Sequence, residues 1–267
     1  MTLRPVLFCG DPHSRFRQVV ESASRTRAAT VVLLGDMEPS RPLEEEMTAL
    51  HQSDTEWYYI AGNHDADSQA LARRVWNRNT EPHNIHGRVV TLKGGLRLTG
   101  LAGVFRGDVW YPQVGDKNGG RSTHYSRLDL ERVTPRQYRF NPYDAAAPKV
   151  HHKHWASIFE EEYDALAEMQ ADILVTHEAP SYHCDFSGKG TGFRAIDELA
   201  QFLGARYAIH GHHHDNQDSS EFWVQQKFES HGVGLRGVSA LWPDGRWEVV
   251  MPGEIDDARR RQLRASE

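Results

Sequence analysis

The sequence is poor in cysteine: only Cys9 and Cys184 occur in 267 residues. Two cysteines make no disulfide framework, and they read as packed thiols in a reducing, cytoplasmic setting. Long hydrophobic runs are also lacking. No segment approaches the roughly 18 apolar residues of a membrane-spanning helix, so no membrane partner is expected. The first residues, Met1-Thr2-Leu3-Arg4-Pro5-Val6, lead straight into a strand-like run and do not read as a secretory signal. Positive charge is not in excess. A net charge of −6 argues against a general nucleic-acid-binding surface, although metals bound in a site could supply positive charge locally. Internal repeats, low-complexity tracts and a convincing domain boundary are missing too, so residues 1–267 are expected to form a single domain.

What is abundant is histidine, with 16 residues. Histidine serves both metal ligation and proton transfer near neutral pH, so its placement along the chain is the main question.

Apolar runs at residues 6–9, 31–34 and 57–60 alternate with helical spacing at 16–24 and a segment rich in helix formers at 42–51. This rhythm predicts βαβ units and strands buried on both faces. Residues 88–93 and 96–101, separated by Gly94-Gly95, read as a hairpin. Residues 104–155 break the rhythm with glycine, proline, asparagine, arginine and aromatics, and read as a long loop insertion in the domain. The alternation returns with a helix near 157–169, a strand at 173–175, a helix at Arg194–Leu203 and a strand at 207–209. Short strands at 222–224, 234–241 and 247–250 follow. The charged tail 256–267 reads as a surface helix or frayed end.

Five short polar segments each follow directly on a strand-like run. They are Asp11-Pro12-His13, Gly35-Asp36, Gly62-Asn63-His64-Asp65, Thr176-His177 and Gly211-His212-His213-His214. Any one alone is most simply a turn or a satisfied histidine. Five in order, each at a strand end, point to one crevice beyond the carboxyl ends of a sheet. Aspartate, histidine and asparagine offer mixed oxygen and nitrogen ligands without thiolate. That set suits manganese, iron or zinc better than an iron–sulfur cluster or a structural zinc. Residues two apart on an extended backbone share a face, which would aim Asp11 with His13 and His212 with His214, and turn His213 away.

The ordered set D-x-H, G-D, G-N-H-D, H and G-H-x-H, from Asp11 to His214, resembles the calcineurin-like metallophosphoesterase family. The resemblance implies an α/β/β/α sandwich of two mixed β-sheets flanked by helices. It implies two divalent or transition metal ions, with manganese first and iron, zinc, nickel, cobalt or magnesium as further options. Asp11, His13, Asp36 and His214 would hold one ion; Asp36, Asn63, His177 and His212 would hold the other, with Asp36 bridging. His64 corresponds to the family's catalytic, non-ligand histidine. The protein-phosphatase branch carries a longer second motif whose acid would fall on Pro39, so Asp65 or Glu38 is the expected partner of His64, with Asp65 counted as catalytic.

The implied activity is hydrolysis of phosphate esters by water or hydroxide activated between two ions, with His64 protonating the leaving group. The substrate would be a phosphorylated small molecule, a nucleotide or a phosphoprotein, and mono- and diesters remain open at this point. A Ser/Thr-type protein phosphatase is the nearest alternative. An inactive scaffold of the same fold should have lost ligands, and here every ligand position is filled. Arg106, Trp110, Tyr111, Arg121, Tyr182, His183, Cys184 and Arg236 are candidates for substrate contact, since arginine forks grip phosphate and aromatic faces stack on bases. His151-His152-Lys153-His154 reads as a solvated polar patch.

Overall fold

A computed structural model describes residues 4–113, 119–143, 148–184, 188–256 and 261. Its strands are β1 (Val6–Cys9), β2 (Thr30–Leu33), β3 (Glu56–Tyr59), β4 (Val89–Thr91), β5 (Arg97–Leu101), β6 (Ile173–Thr176), β7 (Tyr207–His210), β8 (Glu229–Gly232), β9 (Val238–Leu241) and β10 (Trp247–Met251). They form two five-stranded sheets in the orders β10-β9-β1-β2-β3 and β4-β5-β6-β7-β8. In the first, β1, β2 and β3 run parallel while β9 and β10 add antiparallel. In the second, β5 to β8 run parallel and β4 pairs antiparallel with β5 as the expected hairpin.

The layering follows from what each strand buries. β1, β2, β6 and β7 are buried along their whole length, which their continuous apolar runs require. In β6, Ile173 and Val175 join the core shared with the first sheet, while Leu174 faces a second core on the opposite side. Helices Glu160–Ala167 and Arg194–Leu203 close that second core with Leu166, Ile196, Leu199 and Leu203. Helix Arg17–Thr26 buries Val19 and Ala23 in the first core, which Leu43, Met47 and Leu50 also join. The result is the expected α/β/β/α sandwich. Close to the functional loops the two sheets are tied by Gly103 N–H donating to Ala61 O at 2.7 Å.

Three expectations need correction. The apolar triplet Phe222-Trp223-Val224 is not a strand. It enters the short helix Trp223–Gln226, leaving Val224 92% exposed, and the edge strand is the more polar Glu229–Gly232. An edge strand is held by main-chain bonds to one neighbour, so apolar content marks it weakly. Second, the long segment 104–155 contains a helix, Arg127–Val133, and buries Val109, Trp110, Leu130 and Val150 in the second core. Third, the His151–His154 stretch is not a solvated patch: His154 is buried against Ser157, and His152 Nδ1–H donates to Ala66 O at 2.6 Å, beside His64. Among the described residues no helix is long and apolar enough to cross a membrane. Cys9 is buried, Cys184 is half-buried, and both are free thiols. The expected tail element at 256–267 lies mostly outside the described residues.

Candidate metal centre

All five polar segments lie just beyond the carboxyl ends of β1, β2, β3, β6 and β7. The backbone there is not extended, as the two-apart spacing had suggested. Asp11, His13, Asp36, His212 and His214 have φ of 38°, 40°, 46°, 70° and 64°. Left-handed backbone costs a non-glycine residue on the order of 1–3 kcal/mol and persists only where its surroundings over-determine it. Here the strained loops brace one another: His13 N–H donates to Asp36 O at 3.0 Å and Ser14 N–H to Met37 O at 2.9 Å. Two glycines make room. Gly35 has φ 103°, and a Cβ on Gly62 would sit 2.3 Å from Asp36 Oδ1.

The loops bring ligand atoms together in two triads that share one residue. His13, Asp36 and His214 form the first, and Asp36, His177 and His212 the second, with the offered atoms of each triad all within 4.8 Å of one another. The histidines are aimed from behind. His13 Nδ1–H is bound by Glu38, which leaves Nε2 facing His214 Nε2 at 3.4 Å. His177 Nδ1–H donates to Leu34 O at 2.8 Å, which leaves Nε2 3.2 Å from Asn63 Oδ1 and 3.4 Å from Asp36 Oδ2. Tying down one ring nitrogen this way fixes the tautomer and presents the other as a ligand. Asp11 does not join either triad. It is fully buried, accepts the His212 N–H at 3.0 Å and lies 3.8 Å from His177 Nδ1.

The electrostatics also ask for cations. Burial raises the Asp11 carboxyl to about 7, with Asp36 adding to the rise and His177 opposing it. Burial works against charge on Asp36 and His177 alike, yet the attraction between them prevails: Asp36 is held below the ordinary carboxyl range and His177 is raised to about 10. Burial and the neighbouring His177 push His212 down to about 2, and burial with His13 lowers His214. The Asp36 anion beside His212 and His214, whose rings are kept neutral, with His13 Nε2 and His214 Nε2 facing each other, is an arrangement that divalent ions held there would satisfy. The donor set fits.

His64 lies at the mouth with its side chain 47% exposed. Burial lowers its pKa, but the bond to Asp67 and the charges of Asp36 and Glu38 outweigh this and raise it. The acid it binds is Asp67, with His64 Nδ1 2.8 Å from Asp67 Oδ2. The expected partners do other work. Asp65 is fully buried and its carboxylate accepts the N–H groups of Met37, Glu38 and Gly62, bracing two site loops away from the chemistry. Glu38 binds His13. Asp67 lies three residues on, across the 3₁₀ turn His64–Ala66, where a strand-end reading does not look.

The substrate-contact candidates divide. Trp110 and Tyr182 are buried, Trp110 packing edge-on to Phe105 and Tyr163, and Tyr182 bonding His210 at 2.7 Å, so neither offers a free face. His183 binds Asp215 at 3.0 Å and stacks on His213, which therefore points away from the triads as expected. Arg236 stays near the site: its Nε is 3.4 Å from Pro12 O and its Nη1 2.6 Å from Glu254.

Glu178, next to His177, gives a pH test. Burial raises its carboxyl from 4.5 to about 7, opposed by His177 and by the bond from Phe105 N–H at 3.0 Å. With the folded pKa above the unfolded one, this group's contribution is intact below about pH 4.5 and is lost as pH rises to about 7. Glu178→Gln, which can still accept from Phe105, is expected to stabilise the metal-free protein by on the order of 2–3 kcal/mol above pH 7 and by nothing near pH 4. Urea denaturation at pH 4, 6 and 8 checks this. Equal stability of the two proteins at pH 8 would contradict the burial argument.

Two histidine–carboxylate triads joined through one aspartate, set on loops at the carboxyl edge of a double sheet, make up a candidate metal-binding centre. The chain belongs to the calcineurin-like phosphoesterase family, whose profile matches residues 4–216. Members of that family generally hydrolyse phosphoesters with divalent metal ions. A Haemophilus influenzae protein, itself uncharacterized, is 30% identical over 234 residues, spanning 88% of this chain and 92% of its own length. The crystal structure of TT1561 of Thermus thermophilus superposes with a TM-score of 0.56 at 16% identity, over 93% of this chain and 100% of that one. A second crystal structure gives 0.55 at 11% identity, over 93% and 98%. At such identities these two matches show the fold alone.

Proposed function

We propose that the protein hydrolyses phosphate esters of alcohols at a centre holding two divalent cations, manganese being the first to try. The observation that carries this reading is Asp36 shared between the two triads. His13 and His214 would hold one ion with Asp36; His177 and His212, with Asn63 alongside, would hold the other, and the buried Asp11 adds negative charge next to both. When bound, such a pair supplies Lewis-acid activation of water and neutralises charge on the phosphoryl oxygens. The remaining work falls to the chain. Asp67 holds His64 by Nδ1, favours its protonated form and so prepares it to protonate the departing oxygen. The exposed mouth admits a substrate carried on a small molecule, a nucleotide or a protein.

His64→Ala is expected to keep the two cations of the Asp36-linked triads and to lose about 10²–10⁴-fold in turnover of an alkyl phosphate. It should lose far less on p-nitrophenyl phosphate, whose leaving group needs no proton. Equal losses on both would remove the proton-donor role. Hydrolysis assays after Mn²⁺ reconstitution, using bis(p-nitrophenyl) phosphate, p-nitrophenyl phosphate, cyclic nucleotides and a phosphopeptide, test the wider reading. Activity on none of them would refute it.

A further inference from the structure

Arg106, one of the residues the sequence marks for substrate contact, takes no part in the two triads. It lies in the loop that leaves β5, and β5 runs parallel to β6 with Leu101 opposite Thr176. The loop therefore starts one strand spacing from His177, at the same carboxyl edge. Main-chain bonds fix it there. Gly103 N–H donates to Ala61 O at 2.7 Å, just before Gly62 and Asn63. Phe105 N–H donates to Glu178 Oε1 at 3.0 Å, next to His177. Arg106 N–H donates to Trp110 O at 3.0 Å.

The side chain held in this way has nothing to bind. Phe105 turns into the second core against Trp110 and Phe193, while Arg106 stays half-buried. Its charge is felt by Glu178 and by His154, so it stands between the His177 loop and the turn His152–Ala156. Among the described residues its guanidinium has no hydrogen bond or ion pair, and its Nε is buried without an acceptor. The nearest acid in sequence, Asp108, is taken by Lys153 Nζ at 2.6 Å. Glu178 spends Oε1 on Phe105 N–H. Arg236, by contrast, has its Nη1 on Glu254.

A buried guanidinium N–H with no acceptor is costly, and an anion arriving from the mouth removes that cost. The planar fork suits phosphate or carboxylate, which it grips by two parallel bonds. We infer that Arg106 recognises a second anionic group, phosphate or carboxylate, on the part of the substrate that lies beyond the metals. The inference rests on the dinuclear reading above and narrows its substrates to phosphate esters that carry another negative charge. The reacting phosphoryl group would belong to the cations between the triads. Arg106 lies to one side of them, past His177, so the anion it meets is a different one.

The test is calorimetric binding of non-hydrolysable probes to the full-length protein loaded with Mn²⁺. Methylphosphonate carries one anionic group; phosphonopropionate adds a carboxylate, and propylene bisphosphonate adds a second phosphonate. The wild-type protein should bind one of the two-anion probes at least about tenfold more tightly than methylphosphonate. Whichever probe is tighter tells carboxylate from phosphate. Arg106→Gln should lose that advantage while its Mn²⁺ content and its affinity for methylphosphonate stay the same. Arg106→Lys, which keeps the charge without the fork, should retain part of it. Equal affinity for all three probes in the wild-type protein would overturn the inference without any variant. An advantage that survives Arg106→Gln would assign it to chelation of the cations, and a matching loss of methylphosphonate affinity would place Arg106 on the reacting phosphoryl group; either result overturns the inference. All of these leave the dinuclear reading standing. Failure to take up Mn²⁺, or to bind methylphosphonate at all, would overturn both.

Discussion

Asp36→Asn is expected to lose both cations together and to reduce phosphoesterase turnover by at least about 10³-fold. Asparagine is the informative replacement. It tolerates left-handed backbone, which φ 46° at this position demands, and its side-chain oxygen can still accept the His64 N–H now bonded at 2.8 Å. What disappears is the negative charge that both triads share. The charge that stabilises protonated His177 goes with it, so the metal-free variant should hold that proton less tightly. Metal analysis after dialysis, alongside the phosphoesterase assay, reads the result. A variant that retains two equivalents would show that Asp36 does not join the two sites. His214→Ala, which touches only the first triad, should give up one equivalent and keep the other.

Gly62→Ala carries the second large effect, through space rather than charge. The added methyl would lie 2.3 Å from Asp36 Oδ1, 2.4 Å from the Asp36 nitrogen and 2.5 Å from His177 Cε1. None of these neighbours is the free end of a flexible chain: Asp36 is pinned by the His64 N–H and His177 by Leu34 O. The loops must part. A displacement of about 1 Å at such a centre is enough for about 10²-fold in rate, and overpacking costs about 1–3 kcal/mol of stability. Thermal unfolding and kcat together test this. Wild-type kcat in Gly62→Ala would mean that the Gly62 and Asp36 loops are not in the contact described.

Much of the candidate site was legible because its polar residues punctuate strands. Asp11, Asp36, Asn63, His177 and His212 each follow an apolar run, and parallel strands deliver their carboxyl ends to one edge. The physical reason given for the two-apart pairs was wrong all the same. Left-handed turns, not extended backbone, aim Asp11, His13, His212 and His214, and such turns leave little trace in a sequence when aspartate and histidine occupy them in place of glycine. The supporting shell was harder to read. Glu38 and Asp67 are ordinary surface-type acids whose roles come from turns that fold them onto His13 and His64. Asp65, adjacent to His64 in sequence, points the other way into the loop amides.

The fold shows the same division. Buried parallel strands and the amphipathic helix Arg194–Leu203 were readable from apolar spacing, because burial dictates residue type there. The edge strand Glu229–Gly232 was not, since its bonds are main-chain to β7. The segment around 104–155 lacks periodicity because much of its packing is by single anchors such as Trp110, Leu130 and Val150, not by a continuous face. Its contact through His152 to the His64 turn depends on tertiary approach across 86 residues of chain.

The central claim is that Asp36 joins two neighbouring cation sites. Crystals soaked in Mn²⁺ and measured at the manganese absorption edge test it most directly. The account predicts two anomalous peaks about 3.5–4 Å apart, one against His13 and His214, the other against His177 and His212, with an Asp36 oxygen bonded to each. A single peak, or two peaks that Asp36 does not touch, would contradict it.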